Sequence, residues 1–63
     1  MPIIQAYLLE GRTAEQKEAF IAEVTEAAHR TLGAPVESVR VVIVEMAKTD
    51  FGIAGKSAAA LGR

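Results

Sequence analysis

The chain reads as an α/β protein of the simplest kind: one β-α-β unit followed by a C-terminal hairpin or tail, in a single domain over residues 1–63. Three observations predict this. A short apolar run, IIQAYLL, is bounded by Pro2 and by Glu10-Gly11. A longer segment repeats its apolar residues at helical spacing between matched end signals. A second short apolar run, VRVVIV, follows it.

Each element has a local cause. Ile3 to Leu9 is the length of a strand rather than of a helix, and its flanks are strand flanks. Proline is tolerated at a strand's first position, where the missing N–H matters least. Thr13-Ala14-Glu15-Gln16 is a capping box: the Thr13 hydroxyl accepts from the Gln16 N–H and the Gln16 side chain reaches back. Glu15 and Glu18 suit the positive end of the helix dipole. Phe20, Ile21, Val24, Ala27, Ala28 and Leu32 then form one apolar stripe, with Glu26 and Arg30 as an i,i+4 pair on the other side. Gly33 is a C-cap and Pro35 blocks continuation, which places the helix at about 13–32.

Val39 to Val44 is apolar at five of six positions, as expected of a strand covered on both faces. A helical crossover lets the two strands lie parallel with right-handed connectivity. In the tail, Phe51 and Ile53 flank Gly52, which suits a short hairpin or a strand added to a neighbour's sheet. Ser57 to Leu61 suits a helical turn, marginal by itself.

Composition explains what this unit lacks. Of its 32 apolar residues 12 are alanine, leaving 20 larger ones. A lone chain of about 60 residues buries only about 60% of its unfolded surface. No cysteine is present and His29 is the only histidine, so disulfides, thiolate catalysis and Cys or His zinc clusters are excluded. Association with further copies is the remaining ordinary route to stability. One helix covers one face of a two-stranded sheet, and the other face calls for a neighbour.

Net charge −1 and a pI near 5.7 are not the footprint of a nucleic-acid binder. No apolar run reaches the length of a membrane span, and no basic n-region precedes the first strand. The expectation is a cytoplasmic chain with no nucleic-acid and no membrane partner.

Two short motifs are coincidences. Asp50-Phe51-Gly52 spells a kinase triplet, but the other kinase motifs are absent. Gly55-Lys56-Ser57 ends like a P-loop, yet Asp50 stands where that pattern needs glycine. His29 reads as a solvated histidine favoured by the helix C-terminus.

The residues that carry chemistry are others. Arg40 stands alone in an apolar strand, and a buried arginine must be paired. It reads equally as half of a structural ion pair, for instance with Glu45, or as an anion-binding guanidinium in a dry pocket. Arg12 follows the end of the first strand and precedes a helix N-terminus, a placement suited to an anion, although taken alone it reads first as a loop arginine without a role. Pro2 becomes a free secondary amine once Met1 is trimmed, as initiator methionine commonly is before a small residue. Burial beside guanidinium groups lowers an amine's pKa, and a pKa near the working pH is what a general base needs. With Met1 attached the Pro2 nitrogen is an amide without useful basicity.

Taken together, PIIQAYLLEGRTAEQKEAFIAEVTEA and APVESVRVVIVEMAKTDFGIAGK closely resemble the 4-oxalocrotonate tautomerase family, from Pro2 to about Lys56. The resemblance implies a tautomerase-like β-α-β fold assembled with shared sheets into a homo-oligomer, most often a hexamer built as a trimer of dimers. It implies Pro2 as general base, Arg12 as ligand of a substrate carboxylate, and Arg40, from a neighbouring subunit, as ligand of the substrate's other end. It implies Phe51 as an aromatic wall and Leu9 as a main-chain or ordered-water contact. The implied reaction is 1,3-allylic keto-enol proton transfer on a 2-hydroxydienoate or 2-oxoenoate dicarboxylate such as 2-hydroxymuconate, a step of aromatic hydrocarbon catabolism. It calls for no metal and no cofactor. Ala54 departs from the family, which commonly has glycine there. Alternatives are hydration or dehalogenation of acrylic acids, which adds a water-activating carboxylate such as Glu10 or Glu45, and a non-catalytic oligomeric assembly protein.

Overall fold

The computed structural model describes residues 1–63. β1 (Ile3–Leu9) leads through the Thr13 cap into α1 (Ala14–Leu32). A short 3₁₀ turn (Val36–Ser38) precedes β2 (Arg40–Met46). A second 3₁₀ turn (Lys48–Asp50) leads to a hairpin of β3 (Gly52–Ile53) and β4 (Lys56–Ser57).

The helix ends are those written in the sequence. Gln16 N donates to the Thr13 hydroxyl at 3.1 Å and Thr13 N to Gln16 Oε1 at 2.9 Å. Gly33 takes the left-handed conformation (φ 71°) and its N–H donates to the His29 carbonyl. Glu26 and Arg30 pair at 3.8 Å. His29 is exposed in the last turn of the helix, as the solvated reading expects, and in addition its Nδ1 lies 2.7 Å from the Ala34 carbonyl oxygen. A carbonyl only accepts, so Nδ1 carries the proton and ties the helix end to the following loop.

β1 and β2 pair in parallel, in register from Ile3 opposite Arg40 to Leu9 opposite Met46. This register moves β2 from the expected 39–44 to 40–46, because the strand runs as long as its partner does. Side chains alternate across the sheet. Ile4, Ala6, Leu8, Val41, Ile43 and Glu45 face α1, and Glu45 meets Lys17 of α1 at 2.8 Å. Arg40 and Glu45 are five positions apart, hence on opposite faces, so the ion pair considered between them does not form.

The other face is open. Ile3, Tyr7, Val42 and Val44 are all exposed there, so VRVVIV is not covered on both sides within one chain. Phe20 and Leu32 also stand outside the cover the helical stripe promised. Only Ala28, Ala34 and Ala58 are buried. The chain extends 42 × 24 × 14 Å with a radius of gyration of 14.6 Å, against about 10.6 Å for a globular chain this long. Its surface of 4562 Å² exceeds the roughly 3,900 Å² usual for its mass. This is half of a core, exposed along the sheet.

The hairpin turns through Ala54 (φ 52°) and Gly55 (φ 87°), as a two-residue β-turn with positive φ at both positions requires. Beyond it the chain makes one helical turn, with Leu61 N donating to Ser57 O at 3.1 Å, and continues no helix.

Candidate active site

The parallel sheet sorts the candidate residues into two groups. Pro2 and Arg40 share the end where both strands start: Arg40 N donates to the Pro2 carbonyl at 3.0 Å. The Arg40 side chain is exposed on the open face and bends back to the Glu37 carbonyl, with a longer contact of 3.5 Å to Val39 O. It is therefore not enclosed in a dry pocket of its own chain.

Leu9 and Arg12 lie at the opposite end, where both strands finish. Arg12 Nη1 reaches the Leu9 carbonyl at 3.4 Å. That long contact leaves most of its donors available. A groove of about 300 Å³ opens beside it, lined by Leu8, Arg12, Gln16, Lys17 and Phe20. Lys17 there is held by Glu45, which leaves Arg12 as the cation without a carboxylate partner. The same end carries Phe51. Glu10 N donates to Met46 O at 2.8 Å, and Lys48 N to Glu10 Oε1 at 3.4 Å, which fixes the turn preceding Phe51. Phe51 is 40% exposed, and Ala58 N donates to its carbonyl at 2.7 Å.

Seven residues of strand separate the groups, about 20 Å at strand rise. One chain thus sets Pro2 and Arg40 at one end of the sheet and Leu9, Arg12 and Phe51 at the other, and does not bring the two sets together. Ser38 also reaches the Pro2 end, with its hydroxyl 3.3 Å from the Met1 carbonyl. Nothing in its sequence context marks it, because the contact spans the length of β1, α1 and the first turn.

Comparison with known proteins places the fold. The family model for tautomerase enzymes matches residues 2–61. The 2-hydroxymuconate tautomerase of Stutzerimonas stutzeri is 60% identical over 63 residues, covering 100% of both chains. A 4-oxalocrotonate tautomerase isozyme from Methylibium petroleiphilum superimposes with a TM-score of 0.93 at 48% identity, over 97% of this chain and 95% of that one. A heterohexameric 4-oxalocrotonate tautomerase from Chloroflexus aurantiacus superimposes with a TM-score of 0.90 at 33% identity, over 97% and 98%. A family model over nearly the whole chain and full-length identity of this order show that the chain belongs to the tautomerase family.

Proposed function

We propose that this protein is a cytoplasmic tautomerase of 2-hydroxydienoate dicarboxylates such as 2-hydroxymuconate, working from Pro2 as its amino-terminal residue after Met1 is removed. The full-length match to 2-hydroxymuconate tautomerases carries the substrate class. Neutral Pro2 takes the hydroxyl proton of the dienol and returns a proton to a carbon further along the conjugated chain. Arg12 holds the remote carboxylate, its guanidinium fork matching two carboxylate oxygens. Arg40 binds the 2-oxy group and its neighbouring carboxylate, where charge develops. Leu9 supplies a main-chain or water-mediated contact, and Phe51 an apolar wall that keeps the site dry. These steps ask nothing of a metal or cofactor.

The separation of the two residue groups supports a site built from more than one protomer. Arg12 and Phe51 lie too far from their own Pro2 to share its substrate, so a neighbouring copy supplies them. Arg40 stands on the open face that neighbours cover, which suits its action across a protomer boundary. The uncovered sheet and the missing core support a homo-oligomer, with a hexamer as the assembly proposed.

Hydration or dehalogenation of acrylic acids needs a carboxylate free to activate water. Glu45 is engaged by Lys17 and Glu10 accepts from the Lys48 amide, which favours tautomerisation. A non-catalytic assembly role has no use for Pro2, Arg12 and Arg40 together. Turnover of 2-hydroxymuconate and of haloacrylates by wild type and Pro2→Ala tests the reading. The expected loss is roughly 10²–10⁴-fold in kcat on the dienol, the usual contribution of a general base. Wild-type turnover by Pro2→Ala would refute it.

A further inference from the structure

The chemistry above leaves one contact at the Pro2 end unused. Ser38 Oγ lies 2.8 Å from the Pro35 carbonyl oxygen and 3.3 Å from that of Met1. A hydroxyl has one proton, and the shorter contact takes it. The lone pairs of Oγ are then free to accept from a donor at the start of β1. There the Met1 carbonyl, itself an acceptor, offers them nothing, whereas an amine N–H would.

The hydroxyl is held firmly. Ser38 N also donates to Pro35 O, at 2.9 Å, and the residue is half-buried. The loop before it is fixed by His29 on the Ala34 carbonyl, and Pro2 is fixed by Arg40 N on its own carbonyl. Across a peptide bond, the carbonyl oxygen of one residue lies about 2.2 Å from the nitrogen of the next. Loss of Met1 removes that oxygen, and the 3.3 Å contact together with this 2.2 Å puts the Pro2 nitrogen within about 5.5 Å of the same hydroxyl.

We infer that Ser38 is a positioning residue for Pro2: its Oγ accepts the amine N–H and so aims the nitrogen lone pair at the substrate. The inference rests on the reading of Pro2 as general base. A neutral secondary amine has one N–H and one lone pair on a pyramidal nitrogen, so fixing the first fixes the second. Orienting a base in advance removes an ordering step from the barrier. The same acceptor also favours the protonated amine. The other charged or titratable groups at this end are Glu37 on the turn, Arg40 on β2, and His29 and Arg30 at the helix end, and they stay the same in the variants that test the role.

Ser38→Ala and Ser38→Thr are compared with wild type, all shown by mass to lack Met1. In Ser38→Ala kcat falls about tenfold with KM little changed, the rate equivalent of one net hydrogen bond of about 1.4 kcal/mol. The acid limb of the kcat/KM profile, and the titration of the Pro2 amine followed by ¹⁵N NMR, both move to lower pH. Ser38→Thr, which keeps the hydroxyl, restores both. Two results overturn the inference while leaving Pro2 as base: Ser38→Ala matching wild type in both readouts, or Ala and Thr variants equally slow with an unmoved amine titration. A shifted titration with a fully active Pro2→Ala enzyme defeats the base reading, and the positioning role with it.

Discussion

A lysine on the open face of the sheet is the sharpest probe of the assembly. Val42 and Val44 point away from α1 and are 41% and 38% exposed. Fully burying a valine contributes about 1.5–3 kcal/mol, so covering the exposed fraction of each contributes about 1 kcal/mol per protomer. Val42→Lys removes that gain and sets an ammonium where a neighbour's apolar face is expected. An unpaired buried charge costs several kcal/mol more. Repeated in every copy, the loss exceeds the roughly 5–15 kcal/mol by which small folded proteins are stable. Sedimentation velocity, circular dichroism and turnover at micromolar protomer should show assembly, structure and activity lost together. Val42→Thr, close to valine in shape, should weaken the assembly without abolishing it. A Val42→Lys protein that sediments as wild type with full activity would refute the reasoning.

Two further predictions concern local structure, measured by urea unfolding at one fixed protomer concentration. Thr13→Ala opens the capping box and should lower stability by about 1 kcal/mol per protomer; no change would show that the box contributes nothing once the helix is packed. Ala54→Gly should raise stability by up to about 1 kcal/mol, because Ala54 sits at φ 52°, where an L side chain is strained and glycine is not; a destabilised variant would place the strain elsewhere.

What the sequence revealed follows from how far each signal travels along the chain. The Thr13 box, the Gly33 cap and the run of β1 are local, and the structure carries each of them where it was read. β2 was read by its hydrophobicity, but its ends are set by pairing with β1, which adds Glu45 and Met46. Cover on both faces of VRVVIV was also inferred from hydrophobicity. In a single chain Val42 and Val44 are left bare, because one helix covers only one face of the sheet. Arg40 shows the same limit: apolar neighbours along a strand do not tell whether a second layer covers the face it stands on, and within this chain none does. Pro2, Arg12 and Arg40 stood out by residue type, whereas the grouping of Pro2 with Arg40, and of Arg12 with Leu9 and Phe51, needed the strand register. Ser38 and the Lys17–Glu45 pair are contacts between distant segments, with no periodicity or motif to announce them.

A base at the Pro2 nitrogen is tested most directly by varying only whether that nitrogen is an amine. The protein is prepared with Met1 removed and, by blocking methionine aminopeptidase, with Met1 retained. Intact mass fixes the fraction of each, sedimentation confirms equal assembly, and both are assayed on 2-hydroxymuconate. Turnover should track the fraction lacking Met1, with the retained form slower by at least about 10²-fold, the low end of a general base's contribution. Full activity in an equally assembled preparation that quantitatively retains Met1 would contradict it.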